Sequence, residues 1–357
     1  MQRRSILLVA ITVFLSIILT GCFQGEQSLE KEEIDPPKDA EAVNDLDKAT
    51  EEAKKAGDKT ETATETVSRQ LYLLDANGMV AAQTLELPLA DSKEVAEQAL
   101  EYLVKDGPVT PLLPTGFQAV LPAGTEVNGL NLQKDGTLVV DVSKEFKEYE
   151  AAQEQKIIQA MTFTLTQFEN VKNVKLRING EPQSVMPVNG TPIGDGYSRA
   201  DGINLVNSDS VDLMASKPVT LYYPTESNGN QYFVPVTKYI DVEDQDLYGS
   251  IINTLLDGPG MDVNAKHVFN SEAQLTHNPT LNSGVLEVVF NQSVLEDSDE
   301  AVISDEVMET LVRTLTEDES VEAVQVKVED IETLFNENGE PYTKPVTKQT
   351  FTPTEKL

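Results

Sequence analysis

The sequence predicts a mixed α+β protein built from two tandem copies of one small module, each with two helices laid on a small sheet, behind an N-terminal membrane-anchoring segment. Three observations carry this expectation. Strand-like and helix-like patterns recur in the same order about 150 residues apart. Within each copy the apolar spacing switches between two, which buries one strand face, and three or four, which makes one stripe along a helix. Finally, a basic and then apolar N-terminus ends at a lone cysteine and runs into a polar stretch.

The N-terminal element comes first. Arg3 and Arg4 form a positive end, and Ser5 to Leu19 is apolar, long for a signal-peptide core and short for a spanning helix. Leu19-Thr20-Gly21-Cys22 then resembles a bacterial lipobox, in which the cysteine thiol is acylated and the peptide is cut just before it. The expectation is a signal peptide over 1–21 and a lipid-anchored Cys22, with an uncleaved anchor helix as the alternative. Either arrangement places the rest of the chain outside the cytoplasm. A single acyl chain holds a protein only marginally, so a diacylglycerol anchor would supply the stable attachment. Residues 22–66 follow as an acidic tether: from Gln24 to Thr66 there is no aromatic residue, and Pro36-Pro37 interrupts a run rich in Glu, Asp, Lys, Ala and Thr. Such a segment cannot bury enough apolar area to offset its ordering entropy.

The two copies are expected over 67–184 and 217–331, joined by a Gly-, Asn-, Ser- and Asp-rich linker over 185–216 and followed by an extension over 332–357. Each opens with a strand, at Leu71-Tyr72 and Leu221-Tyr222, and a turn signal, Asn77-Gly78 and Asn228-Gly229. A helix follows in each. Its stripe is Val95, Ala99, Tyr102 and Leu103 in one copy and Leu247, Ile251, Ile252 and Leu255 in the other. Asp91 with Glu94 reads as a capping box at the start of the first of these helices. Asp106-Gly107-Pro108 and Asp257-Gly258-Pro259 read as helix stops, with the glycine in the left-handed conformation. Gly136 and Gly284 precede alternating strands, Leu138, Val140 and Val142 against Leu286, Val288 and Phe290. A second helix then carries Ile157, Ile158, Met161 and Leu165, or Ile303, Val307, Leu311 and Leu315, and each copy closes with a strand at Val174, Leu176 and Ile178 or Val324, Val326 and Val328.

Composition removes several function classes. Lys and Arg total 27 against 60 Asp and Glu, a formal net charge of −33, so phosphate backbones and anionic lipid surfaces should be repelled and no nucleic-acid partner is expected. One cysteine and two histidines, His267 and His277, cannot build a disulfide framework or a four-ligand Cys/His zinc site, and no cofactor is expected. Gly196-Tyr197-Ser198-Arg199-Ala200 is a degenerate nucleophile elbow without the strand and helix that would project Ser198, and it reads as flexible linker. The histidines read as surface residues. Glu154 and Glu309 fall on polar faces of predicted helices and read as solvated carboxylates, whereas Asp305 and Glu306 suit the positive end of a helix. Asn207, Asp209 and Asp212, or Asp241, Asp244 and Asp246, offer hard oxygens for calcium without matching an EF-hand.

The lipobox, the acidic tether and the two copies with their Asp-Gly-Pro stops and glycine-led strands together resemble the GerMN-domain lipoproteins of sporulation and germination. That resemblance covers essentially the whole chain. It implies tandem domains similar in fold to the ring-building motifs of secretion-system rings, with a non-catalytic role in assembly. It also implies a place on the mother-cell membrane, facing the intermembrane space, with partners in the trans-envelope channel complex and a capacity for oligomer or ring association. An extracytoplasmic enzyme or accessory acting on peptidoglycan is the alternative. Val139 and Val289 alternate with core positions and point away from them, so they are the candidate interaction surface, unless packing within the protein covers them.

Overall fold

The computed structural model describes residues 65–90, 94–206, 216–242 and 246–351. Cys22, the signal segment and the tether up to residue 64 lie outside the described residues, as do Asp91, Asn207, Asp209, Asp212 and Asp244.

The first copy begins as an antiparallel hairpin of β1 (Thr66–Leu74) and β2 (Val80–Pro88). The Asp75 carboxylate accepts the backbone N–H groups of Asn77 and Met79, which closes the turn around Gly78 at φ +75°. Helix α1 (Val95–Glu101) follows, with Glu94 at its N-cap and no side-chain cap. Its stop differs from the expected one. Asp106, not Gly107, takes the left-handed conformation at φ +59°, which short polar side chains tolerate. Gly107 is required for space, since a Cβ there would lie 2.9 Å from the Val104 carbonyl oxygen. In the second copy the glycine does turn the chain, with Gly258 at φ +86°.

A sheet then forms from β3 (Val127–Leu132), β4 (Thr137–Val142), β5 (Asn173–Ile178) and β6 (Glu181–Gln183). β4 and β5 run parallel, so they need a crossover, and α2 (Glu154–Leu165) supplies it. The second copy repeats this plan. Its hairpin is β8 (Ser216–Ser227) and β9 (Asn230–Asp241), turned by Asn228 and Gly229, both at positive φ, as a two-residue hairpin requires. Then come α3 (Leu247–Leu256), β10 (Thr280–Asn282), β11 (Val285–Phe290), α4 (Asp305–Leu315) and β12 (Ala323–Val328), with β11 and β12 again parallel.

The crossover helix is more enclosed than a single apolar stripe predicts. In α2, Gln159, Thr162 and Thr164 are buried alongside Ile157, Ile158, Met161 and Leu165. The cause is the hairpin, whose two strands pack on the helix in addition to β5 of the sheet. Thr164 turns this to use: its hydroxyl accepts the Tyr72 backbone N–H at 2.9 Å, and Thr314 does the same for Tyr222 at 3.0 Å.

Two segments expected to lie outside the modules each pair a short strand with a module's sheet. Residues 185–206, assigned to a flexible linker, contain β7 (Tyr197–Ser198), which pairs antiparallel with the start of β5. Residues 332–351, assigned to an extension, contain β13 (Val346–Thr347), which pairs in the same way with the start of β12. A two-residue strand has no period to read, and glycine-rich flanks resemble linker by composition. The described residues all fall within one unit, Thr62–Leu357, with a continuous apolar core through both copies.

Candidate functional site

The most heavily bonded polar constellation of the described residues joins the two modules. Arg199, just after β7, directs its Nη1 at both carboxylate oxygens of Glu317, at 3.1 and 3.2 Å. Its Nε donates to Thr166 Oγ1 and its Nη2 to the Phe163 carbonyl, while the guanidinium stands 4.5 Å from the centre of the Phe163 ring. Glu317 also accepts from the Tyr222 hydroxyl and from Lys348 Nζ, each at 2.8 Å. Burial alone would raise the Glu317 pKa, but the charges of Arg199 and Lys348 prevail and hold it at about 2. Burial and the Glu317 charge in turn push the Tyr222 hydroxyl well above its ordinary value.

Repeat positions explain the arrangement. Arg199 and Lys348 occupy matching places after β7 and β13, and Gln167 in the first copy matches Glu317 in the second. Gln167 donates to the carbonyls of Gln70 and Thr164. One carboxylate therefore serves the equivalent cations of both copies.

Beside this cluster the two hairpins meet along β2 and β9. Asn204, in the left-handed conformation at φ +47°, accepts the Val80 N–H with its side-chain oxygen and donates from Nδ2 to the carbonyls of Val80 and Pro235. Further along, Asn230 donates to Gln83 at 3.0 Å, so the two strands run antiparallel with side chains filling the seam. Tyr232 gives its hydroxyl hydrogen to Asp75 at 2.9 Å and meets the Phe117 ring edge-on at 4.8 Å. Each copy thus offers its hairpin to the other. The pairing is of the self-complementary, two-fold kind that closes on itself.

The residues singled out from the sequence are scattered. Glu154, placed by its spacing on an exposed helix face, is instead fully buried. Its carboxylate accepts the backbone N–H groups of Val188, Asn189 and Thr191 and the Tyr149 hydroxyl, pinning the loop that leads to β7. Burial raises its pKa, but those hydrogen bonds outweigh burial and bring it to about 2. Glu309 is half-buried and paired with Arg313 rather than solvated; burial raises its carboxyl, Arg313 opposes, and Asp305 and Glu306 add to the rise.

Ser198 does end a strand, contrary to expectation, and a 3-10 turn over Arg199–Asp201 follows. Its φ of −134° is ordinary extended backbone, its hydroxyl donates to the Asp201 carboxylate at 2.9 Å, and the two residues also form a capping box in which each side chain accepts the other's backbone N–H. His267 and His277 sit on exposed loops, bonded to the Leu256 carbonyl and to Thr276. Asp246 accepts the Gly249 N–H and caps α3, which accounts for it without an ion. Asp305 and Glu306 occupy the first turn of α4. Val139, between Asn131 and Lys175 on the neighbouring strands, is only 8% exposed, and Val289 is half-buried on the corresponding face of its sheet. Arg199, Asn204 and Glu317 escaped the sequence reading; the matched places of Arg199 with Lys348, and of Gln167 with Glu317, were the signal that could have found them.

An open cleft of about 1120 Å³ runs from the β1–β2 hairpin across β9 to the N-terminal part of α4. Gln70, Ala82 and Thr84 line it from the first copy; Asn230, Gln231, Phe233 and Asn270 line it from the second. Lys266 bridges Glu306 at 3.0 Å and Glu226 at 3.8 Å on its wall.

Comparison with known proteins locates this architecture. A family model described as Germane, sporulation and spore germination, matches residues 70–184 and 220–333. The spore germination protein GerM of Bacillus subtilis (strain 168) is 45% identical over 344 residues, covering 93% of each chain. The solved structure of the tandem GerMN domains of the sporulation protein GerM from Bacillus subtilis superimposes with a TM-score of 0.74 at 46% identity, spanning 82% of this chain and all of that one. The structure of the first GerMN domain of the same protein is 58% identical and covers 38% of this chain and 98% of its own length, with a TM-score of 0.35.

Proposed function

Because this chain belongs to the Germane family of sporulation and spore germination proteins, we propose that it is a membrane-anchored, non-enzymatic lipoprotein that assembles with or stabilises the trans-envelope complex between mother cell and forespore. The observation that carries the proposal is the joint around Arg199 and Glu317. There the half-buried charges of Arg199, Glu317 and Lys348 fix two copies of one module against each other. A rigid two-part body of this kind suits a scaffold, which presents surfaces at a fixed spacing. Glu154 fits the same pattern, since every contact of its carboxylate organises the fold.

In this reading Cys22 carries the acyl anchor and the tether lets the body reach away from the bilayer. The diagnostic experiment is crosslinking and detergent co-purification of the full-length protein from sporulating cells, beside Cys22→Ala, with identification of the bound proteins. The expected outcome is acyl labelling and recovery of channel components with the native chain, and loss of both with Cys22→Ala. Acyl labelling of the Cys22→Ala chain would remove the lipoprotein reading. Recovery of no stoichiometric partner by the native, folded chain would remove the assembly reading, and release of peptidoglycan fragments by the purified protein would put a wall enzyme in its place.

A further inference from the structure

The cleft beside the module junction has a chemistry that the joint itself does not need. Five carboxylates line it, Glu296, Asp305, Glu306, Glu309 and Glu337, against two cations, Lys266 and Arg313. Both cations are already engaged, Lys266 by Glu306 and Glu226, Arg313 by Glu309, so the wall keeps net negative charge. The helix N-terminus accounts for charge in the first turn of α4, but Glu296 stands on a separate loop and is exposed.

A second, independent feature lies on the opposite wall. Gln70 is only 6% exposed, yet among the described residues no hydrogen bond reaches its side-chain carboxamide. Cross-strand pairing sets Gln70 opposite Thr84, on the same face of the hairpin as Ala82, and all three line the cleft. The Gln70 amide oxygen and nitrogen are not sealed off but open onto the cleft, where a ligand would give them the protein partner they lack.

We propose that this cleft holds an extended, lysine- or arginine-bearing segment of a protein partner. The backbone of such a segment supplies the donors and acceptors that Gln70, Gln231 and Asn270 can meet, and its cations meet the carboxylates along α4. The volume exceeds the roughly 300–1,000 Å³ of small-molecule pockets, and the cleft is open along its length, as a passing chain requires. A neutral glycan would leave the charge uncompensated, and an anionic one would be repelled. The inference rests on the reading of the chain as an assembly protein and adds the kind of segment it recognises.

The test uses the detergent-solubilised full-length protein and three labelled probes: an octapeptide of alternating serine and lysine, its serine–glutamate counterpart, and chitopentaose. The lysine peptide alone should bind, and Gln70→Leu and Glu296→Lys should each weaken it by about tenfold. Glu181→Lys, the same charge change outside the cleft, should leave its affinity within about twofold. Equal weakening by Glu181→Lys would show general attraction to an acidic chain and overturn the proposal, as would binding of the glutamate peptide, preference for chitopentaose, or no binding. Should Gln70→Leu fail to fold, the exposed Glu296 position still decides. Channel components recovered undiminished with Glu296→Lys would sink the cleft while sparing the assembly reading; their absence from the native chain would sink the latter.

Discussion

At the scale of single residues, Glu317 shows how one substitution between repeats converts a module contact into a joint. Its equivalent Gln167 serves only its own copy, whereas Glu317 gathers Arg199, Lys348 and Tyr222. The carboxyl is depressed in the folded state to about 2, from an ordinary 4.5. A depressed carboxylate contributes stability that is complete above the unfolded value and is lost as pH falls through the folded one. The stability difference between the native chain and Glu317→Gln should therefore be largest at neutral pH, begin to shrink below about 4.5 and vanish near 2. Urea titrations of the two proteins at successive pH values check this; a difference independent of pH would mean that Glu317 acts by shape and not by charge. Neither Glu317 nor Arg199 stands out within its own copy, because the meaning of each comes from a partner more than a hundred positions away; only the comparison of matched repeat positions points to them. Glu154 was misread for a related reason: helical spacing places it on a polar face, and only the later loop 188–191 encloses it.

At the scale of elements, local signals were legible where local physics decides. The Asn228-Gly229 turn, the alternating apolar positions of β4 and β11 and the helix that follows each of these strands all follow from short-range pattern. The enclosure of α2 and the two short strands β7 and β13 did not, since hairpin and sheet close over them only in three dimensions. The hydroxyls of Thr164 and Thr314 mark the hairpin-to-helix contact in both copies and give a matched experiment. Thr→Val at either position keeps the volume but leaves a buried backbone N–H without an acceptor. The expected cost is about 1–3 kcal/mol for each of Thr164→Val and Thr314→Val. Chemical denaturation measures it; a large effect in one copy alone would show that the repeated contact is equivalent in geometry but not in energy.

At the scale of the whole molecule, the shared core and the charged joint predict that both copies unfold as one. Calorimetry of the native chain should give a single transition. Arg199→Ala leaves Glu317 with Lys348 and Tyr222 but removes the ion pair between copies. It should lower the melting temperature and separate the transition into two, with amide exchange in the hairpins β1–β2 and β8–β9 accelerating together. Two transitions already present in the native chain would mean that the seam of Asn204 and Tyr232 adds little. The tandem order itself was legible from the repeat about 150 positions apart, but the mutual packing was not, because a repeat reveals what is copied and is silent on how the copies face each other.

The two-fold pairing of the hairpins within one chain has a consequence for abundance. Two separate modules would find each other only above a threshold concentration, and their pairing would drain away as the protein was diluted. Covalent linkage turns that encounter into an intramolecular step at an effective concentration in the millimolar range. The paired form is therefore as complete in a cell that makes a few copies as in one that makes thousands, and it survives extraction and dilution unchanged.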